Sequence, residues 1–223
     1  MRRSYLLKVF LGLIFSTVGA LSDEPSSIAN DTTKRVIVLG DSITAGYGLK
    51  PSQAYPALLQ KKITASKLPY TVTNAGVSGD TTAGGLRRIN WALARGGDVL
   101  IIALGGNDGL RGIPPAETKK NLLGIIAKAR TKNPKIKIVV AGMQMPANMG
   151  PKFTTGFKEV FPDVSKETKT TLLPFLLEGV GGSEELNQPD GIHPTSEGQA
   201  KIADHVWKTL KPVLSEGEES NTE

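Results

Sequence analysis

Residues 35–44 read RVIVLGDSIT. The first five form a short apolar run rich in β-branched side chains, the pattern of a buried strand. Gly40 closes the run, and Asp41-Ser42 follow at once. The same unit recurs outward along the chain. Strands are expected over residues 70–74, 99–104 (VLIIAL) and 137–141 (KIVVA), with a fifth over 172–176, where Pro174 suits an edge position. Between them lie helical patterns over 55–65, 86–95, 115–132 and 153–169, the last weaker and interrupted near Pro162. A final helix spans 195–210, with Ile202, Val206 and Leu210 on one face. Pro114-Pro115 suits the start of the helix at 115. Strands alternating with helices at this spacing predict an α/β fold: three layers, with a five-stranded parallel sheet covered by helices on both faces.

Composition bounds the function. The 223 residues suit one domain of ordinary size, and no internal repeat is visible. Cysteine is absent, which excludes disulfides, thiolate metal sites, a cysteine nucleophile and a lipid-modified N-terminal cysteine. The net charge of +6 suggests a nucleic-acid partner until its location is considered. Arg2, Arg3 and Lys8 precede an uncharged run over residues 9–22, too short for a membrane span of about 20 residues. With small residues at Val18-Gly19-Ala20, residues 1–20 read as a secretory signal peptide, the alternative being a retained anchor. Arg2-Arg3 also suits a twin-arginine signal, so the export route stays open. The remaining chain carries 24 basic against 21 acidic residues and no basic stripe, so no nucleic-acid partner is expected. Export to the periplasm or medium is expected, with no stable membrane insertion after cleavage. The polar stretch 21–33 reads as a flexible lead-in, 34–214 as the folded domain, and 215–223 as an acidic disordered tail.

In an open parallel sheet, ligands bind beyond the carboxyl ends of the strands. Those five ends carry Gly40-Asp41-Ser42, the segment 74–81 with Gly79, Gly105-Gly106-Asn107-Asp108, the segment 143–149, and Asp190-Gly191-Ile192-His193-Pro194. One rim would therefore gather Ser42, Gly79, Asn107, Asp190 and His193. These residue types suit acyl transfer. A serine hydroxyl needs a base, and imidazole is the best base near neutrality. Of the two histidines, His205 sits within a helix beside Asp204, and adjacent helix positions do not face each other. His193 sits in a loop three residues after Asp190, where a tight turn can bring the carboxylate to Nδ1. The backbone N–H groups of Ser42 and Gly79, with the Asn107 amide, can stabilise an oxyanion. Leu110, Ile113, Met145 and Met149 are expected to form the acyl-binding wall, since three of four methionines crowd 143–149 and methionine adapts to varied chains.

Each residue also has a bland role. Ser42 can cap a helix, Gly79 and Asp190-Gly191 can serve turns, Asn107 is a common turn residue, and Met143 can finish a buried strand. Ser78 is the fallback nucleophile. What favours the functional reading is that four such loops fall at four matching strand ends. A Gly-x-Ser-x-Gly elbow, a phosphate loop and a third glycine after Gly46-Tyr47-Gly48 are all missing, and no ligand cluster accompanies Asp190 and His193. No metal and no cofactor are therefore expected.

Taken together, these blocks resemble the SGNH-hydrolase superfamily, also called GDSL esterases/lipases, over nearly all of residues 35–214. Residues 106–112 (GNDGLRG) and 190–194 (DGIHP) are especially similar to its exported bacterial arylesterases, acyl-CoA thioesterases and lysophospholipases. The resemblance implies a flavodoxin-like strand order, a Ser42–His193–Asp190 triad, a weak contact from the His193 main-chain carbonyl, and a small acyl ester or thioester as substrate. A carbohydrate O-deacetylase of the same fold and a non-catalytic exported binding module are the competing expectations.

Overall fold

The computed structural model describes residues 33–219. The expected signal peptide and most of the lead-in lie outside the described residues. Among the described residues there are five strands: β1 (Lys34–Gly40), β2 (Tyr70–Gly76), β3 (Val99–Ala103), β4 (Lys137–Ala141) and β5 (Thr171–Leu173). All pair in parallel, in the order β2-β1-β3-β4-β5. Every residue of β3 is buried, as are Val36–Gly40 of β1 and residues 138–141 of β4. Strands apolar on both faces must be covered on both faces, which is why these runs form a parallel sheet and not an alternating antiparallel one.

Seven helices among the described residues complete the fold: α1 (Ser42–Ala45), α2 (Tyr55–Ala65), α3 (Thr82–Ala92), α4 (Gly106–Leu110), α5 (Pro115–Lys132), α6 (Pro151–Thr168) and α7 (Ser196–Glu219). From β1 the chain steps to one edge of the sheet through α2, then reverses and runs to the other edge through α3, α5 and α6. Right-handed crossovers place connections of opposite direction on opposite faces. Accordingly α5 packs on both α3 and α6, and α2 packs on α7. The reversal falls between β1 and β3, the topological switch point where such sheets open a crevice.

Several boundaries differ from expectation, each for a local reason. Helix α3 begins at Thr82, four residues early, because Thr81 caps it by accepting from the Gly84 N–H. Helix α6 runs unbroken through Pro162, with Phe157, Val160, Phe161 and Val164 buried as one stripe. Strand β5 stops before Pro174 and occupies the sheet edge. The acidic segment beginning at 215 is not wholly a tail, since α7 continues to Glu219 across Pro212. Lys137 donates to the Val213 carbonyl at 2.7 Å and pairs with Glu216, while Tyr70 Oη donates to the Leu214 carbonyl. These contacts anchor the helix end on β2 and β4. Residues 220–223 lie outside the described residues.

Candidate active site

The nucleophile loop is built by close packing. Gly40 has no room for a side chain, because a Cβ there would lie 1.9 Å from Thr44 Oγ1. Asp41 caps α1 by accepting from the Ile43 N–H at 3.0 Å, and Gly46 ends the helix in the left-handed region at φ 75°. This four-residue helix holds Ser42 at its first position. Buried Gln199 of α7 fixes it from below, donating to the Ile43 carbonyl and accepting from the Tyr55 N–H. Ser42 is therefore not the helix cap that a serine at this place can be: Asp41 is the cap, and Ser42 is the residue the capped turn presents.

His193 Nε2 lies 2.9 Å from Ser42 Oγ, and its Nδ1 lies 2.7 Å from Asp190 Oδ2. Asp190 Oδ1 accepts from the N–H groups of Ile192 and His193, both at 2.9 Å, so the Asp-Gly turn also aims the carboxylate at the ring. The His193 N–H, its ring and the Ile192 N–H hold the Asp190 carboxyl down at about 2. The His193 carbonyl accepts from the Gln188 N–H at 2.7 Å. The Gln188 amide in turn donates to the carbonyls of Tyr47 and Pro194, and the Tyr47 ring packs on the imidazole, centroids 4.5 Å apart. His205, by contrast, bonds the Phe175 carbonyl from within α7 and lies outside this cluster.

The N–H groups of Ser42 and Gly79 have no partner among the described residues. Gly79 adopts φ 78°, a conformation suited to glycine. Asn107 donates one amide hydrogen to the Asp80 carbonyl at 3.0 Å, leaving the other without a partner among the described residues. Asp108, next to Asn107 in the same strand-end block, is fully buried. It accepts from the Thr82 N–H at 2.8 Å and from the Thr82 and Thr118 hydroxyls, joining α4 to α3 and α5. The Asp41 carboxyl is pushed up to about 6, chiefly by burial, which the Ile43 N–H and the charge of His193 only partly offset.

A cleft of about 380 Å³ begins beside Ile43 and Gly106 and runs between Leu110, Met145, Phe175 and Ile192. Of the four residues expected to form the acyl wall, Leu110 and Met145 line it. Met149 does not: it closes a short 3-10 turn and lines a separate depression with Pro115, Pro151 and Phe153. Nor does Ile113 line the cleft, because Gly112 at φ 66° turns the chain and the Ile113 N–H bonds back to the Asp108 carbonyl. Met143 is both buried at the strand end and part of the lining. Arg88, Gln188, Asp80 and Tyr47 escaped the sequence reading.

The described residues contain no group of three or more His, Cys, Asp or Glu placed to hold a metal, and no helix long and apolar enough to cross a membrane. Residues 38–201 match the model of the GDSL-like Lipase/Acylhydrolase family. The chain is 46% identical to Esterase TesA of Pseudomonas aeruginosa over 180 residues, 80% of this chain and 89% of that protein. It is 36% identical to Thioesterase 1/protease 1/lysophospholipase L1 of Escherichia coli over 181 residues, 81% and 85% of the two chains. The crystal structure of the psychrotrophic esterase EstA from Pseudoalteromonas sp., inhibited by monoethylphosphonate, superposes with a TM-score of 0.77 at 31% identity, covering 82% of this chain and 99% of that one.

Proposed function

The chain belongs to the GDSL-like lipase/acylhydrolase family, and from that premise we propose that it is a serine hydrolase of small carboxylic esters with Ser42 as nucleophile, His193 as base and Asp190 as its orienting carboxylate. The observation that carries these roles is the Asp190–His193–Ser42 hydrogen-bond chain of 2.7 and 2.9 Å, at the strand ends where the cleft begins.

In this reading Ser42 Oγ attacks the ester carbonyl carbon while His193 Nε2 takes its proton. The carbonyl oxygen becomes an oxyanion facing the Ser42 and Gly79 N–H groups and the free Asn107 amide hydrogen. Collapse of the tetrahedral intermediate breaks the bond to the leaving alcohol, which receives the proton from His193. Water, deprotonated by the same imidazole, then releases the acid from the acyl-enzyme. Asp190, ionised at all working pH, stabilises the imidazolium formed in each half.

The mixed naming of the relatives suggests that oxygen esters and thioesters both fall within reach, and the apolar lining suits acyl chains of short and medium length. Residues 1–20 support export to the periplasm or medium, with removal of that segment. A fluorophosphonate probe tests the assignment: labelling of Ser42, with hydrolysis of aryl acetates, is expected, and a folded protein that neither labels nor turns over would favour the binding module. A parallel screen of acyl-CoAs, lysophospholipids and acetylated sugars separates the ester classes.

A further inference from the structure

Arg88 of α3 lies behind the rim, with 17% of its side chain exposed, and touches none of the residues assigned to the triad. Its guanidinium nevertheless binds three points at the strand ends. Nε donates to Asp80 Oδ2 at 2.6 Å, one terminal nitrogen to the Ala75 carbonyl at 2.8 Å, and the other to the Gly40 carbonyl at 2.9 Å. Gly40 immediately precedes the nucleophile loop, Ala75 is the penultimate residue of β2, and Asp80 follows Gly79. One planar group thus ties together the two segments that lead into Ser42 and Gly79.

Asp80 extends the span to the third donor. Its main-chain carbonyl accepts from the Asn107 amide, while its carboxylate takes the guanidinium and the Thr81 N–H. The carboxylate occupies the space where a Cβ on residue 84 would stand, 1.6 Å from Oδ1, which explains the glycine there. The pair is largely shielded, Asp80 being 11% exposed on its side chain. A surface ion pair would hold little, but a shielded charge pair with forked hydrogen bonds fixes geometry.

We propose that the Arg88–Asp80 pair is a positioning element of the oxyanion hole, setting the separation of the Ser42 N–H, the Gly79 N–H and the Asn107 amide. The inference rests on the hydrolase reading above. Because these donors gain strength only as charge develops on the carbonyl oxygen, misplacing them lowers kcat and leaves ground-state binding nearly intact.

The experiment compares wild type with Arg88→Lys, Arg88→Met and the near-isosteric Asp80→Asn, using p-nitrophenyl acetate well below each variant's Tm. Wild-type turnover that is lost in Ser42→Ala establishes the hydrolase reading independently. Given that, each Arg88 or Asp80 variant is expected to lose about 10–100-fold in kcat with KM within about threefold, the scale of a displaced donor. The acid limb of the pH profile should stay in place. Arg88→Lys should retain more activity than Arg88→Met, and the Arg88→Met/Asp80→Asn double variant should be no worse than the poorer single. Wild-type kcat in folded Arg88→Met, a loss confined to KM, or unfolding of all three variants would overturn the proposal in favour of a purely structural pair.

Discussion

Asp41 is a buried carboxyl beside the nucleophile, and its pH dependence can be worked from the structure. Burial lifts it from 3.8 to about 6, against the Ile43 N–H and the charge of His193. The folded protein therefore holds this proton more tightly than the unfolded chain does. Stability contributed by Asp41 is present at low pH, falls as pH rises between about 4 and 6, and is flat above. At 1.36 kcal/mol per pH unit, the ionised group costs the fold about 3 kcal/mol at pH 8 and about 0.5 kcal/mol at pH 4. Asp41→Asn removes the charge and keeps a side-chain oxygen for the Ile43 N–H, asparagine being as good a cap as aspartate. For a domain this size, 1 kcal/mol moves Tm by about 2–4 °C, so the variant should melt roughly 6–12 °C above wild type at pH 8 and within about 2 °C of it at pH 4. Thermal unfolding followed by circular dichroism across that range measures the difference directly. A gap that does not change with pH, or a variant less stable at pH 8, would refute the idea that burial sets the Asp41 proton affinity.

The same geometry carries further expected outcomes. Ser42→Ala should lose 10³-fold or more in kcat while keeping its Tm, read from p-nitrophenyl ester hydrolysis. His193→Ala should abolish turnover, whereas His205→Gln, which alters only a bond to the Phe175 carbonyl, should cost stability and leave kcat within about twofold. Asp190→Asn should lower kcat by about 10²–10⁴, and since Asp190 sits at about 2 in wild type, its ionisation contributes no limb to the activity profile between pH 5 and 9. Met145→Ala should flatten the preference for longer acyl chains, each methylene in the cleft being worth about 0.8 kcal/mol at most, while acetyl ester hydrolysis stays near wild type and Met149→Ala changes neither.

What the sequence discloses and what it hides divide along a physical line. Runs such as VLIIA and KIVVA fix strands because no other element buries them so fully, and the helices at 55–65 and 115–132 appear with the bounds their patterns predict. Ser42 was legible because it directly follows the end of β1, and Asp190 and His193 because a tight turn in the loop between the end of β5 and α7 pairs them. The order of the strands then brings those ends together without any contact being known in advance. Arg88 and Gln188 were not legible. Arg88 reads as one of two adjacent arginines on α3, and nothing local connects it to the Gly40 carbonyl 48 residues away. Gln188 meets Tyr47 across 141 residues, and only the folded chain makes the pairing. The acyl wall failed in part for a related reason: periodicity ends with the strand, so the turn at Gly112 and the 3-10 turn at 147–149 redirect Ile113 and Met149 by hydrogen bonds that composition does not encode.

The hidden residues share one property, which bears on how the site stays rigid. Loops at a sheet rim have little apolar surface to bury, so they cannot be held by packing as the strands are. Here polar side chains hold them: Gln199 of α7 under α1, Arg88 of α3 beneath the Gly79 loop, Asp108 joining its own α4 to α3 and α5, and Gln188 tying the His193 loop to Tyr47. Buried polar groups of this kind add little net stability, and Asp41 subtracts from it at neutral pH. They do fix distances, since a satisfied hydrogen-bonded group loses its full desolvation energy if it shifts away from its partners. Near-isosteric substitutions at these positions, which leave few buried partners unpaired, should therefore lower kcat at a small cost in Tm, whereas truncating a buried strand residue such as Ile101 should lower Tm and leave kcat of the folded protein near wild type.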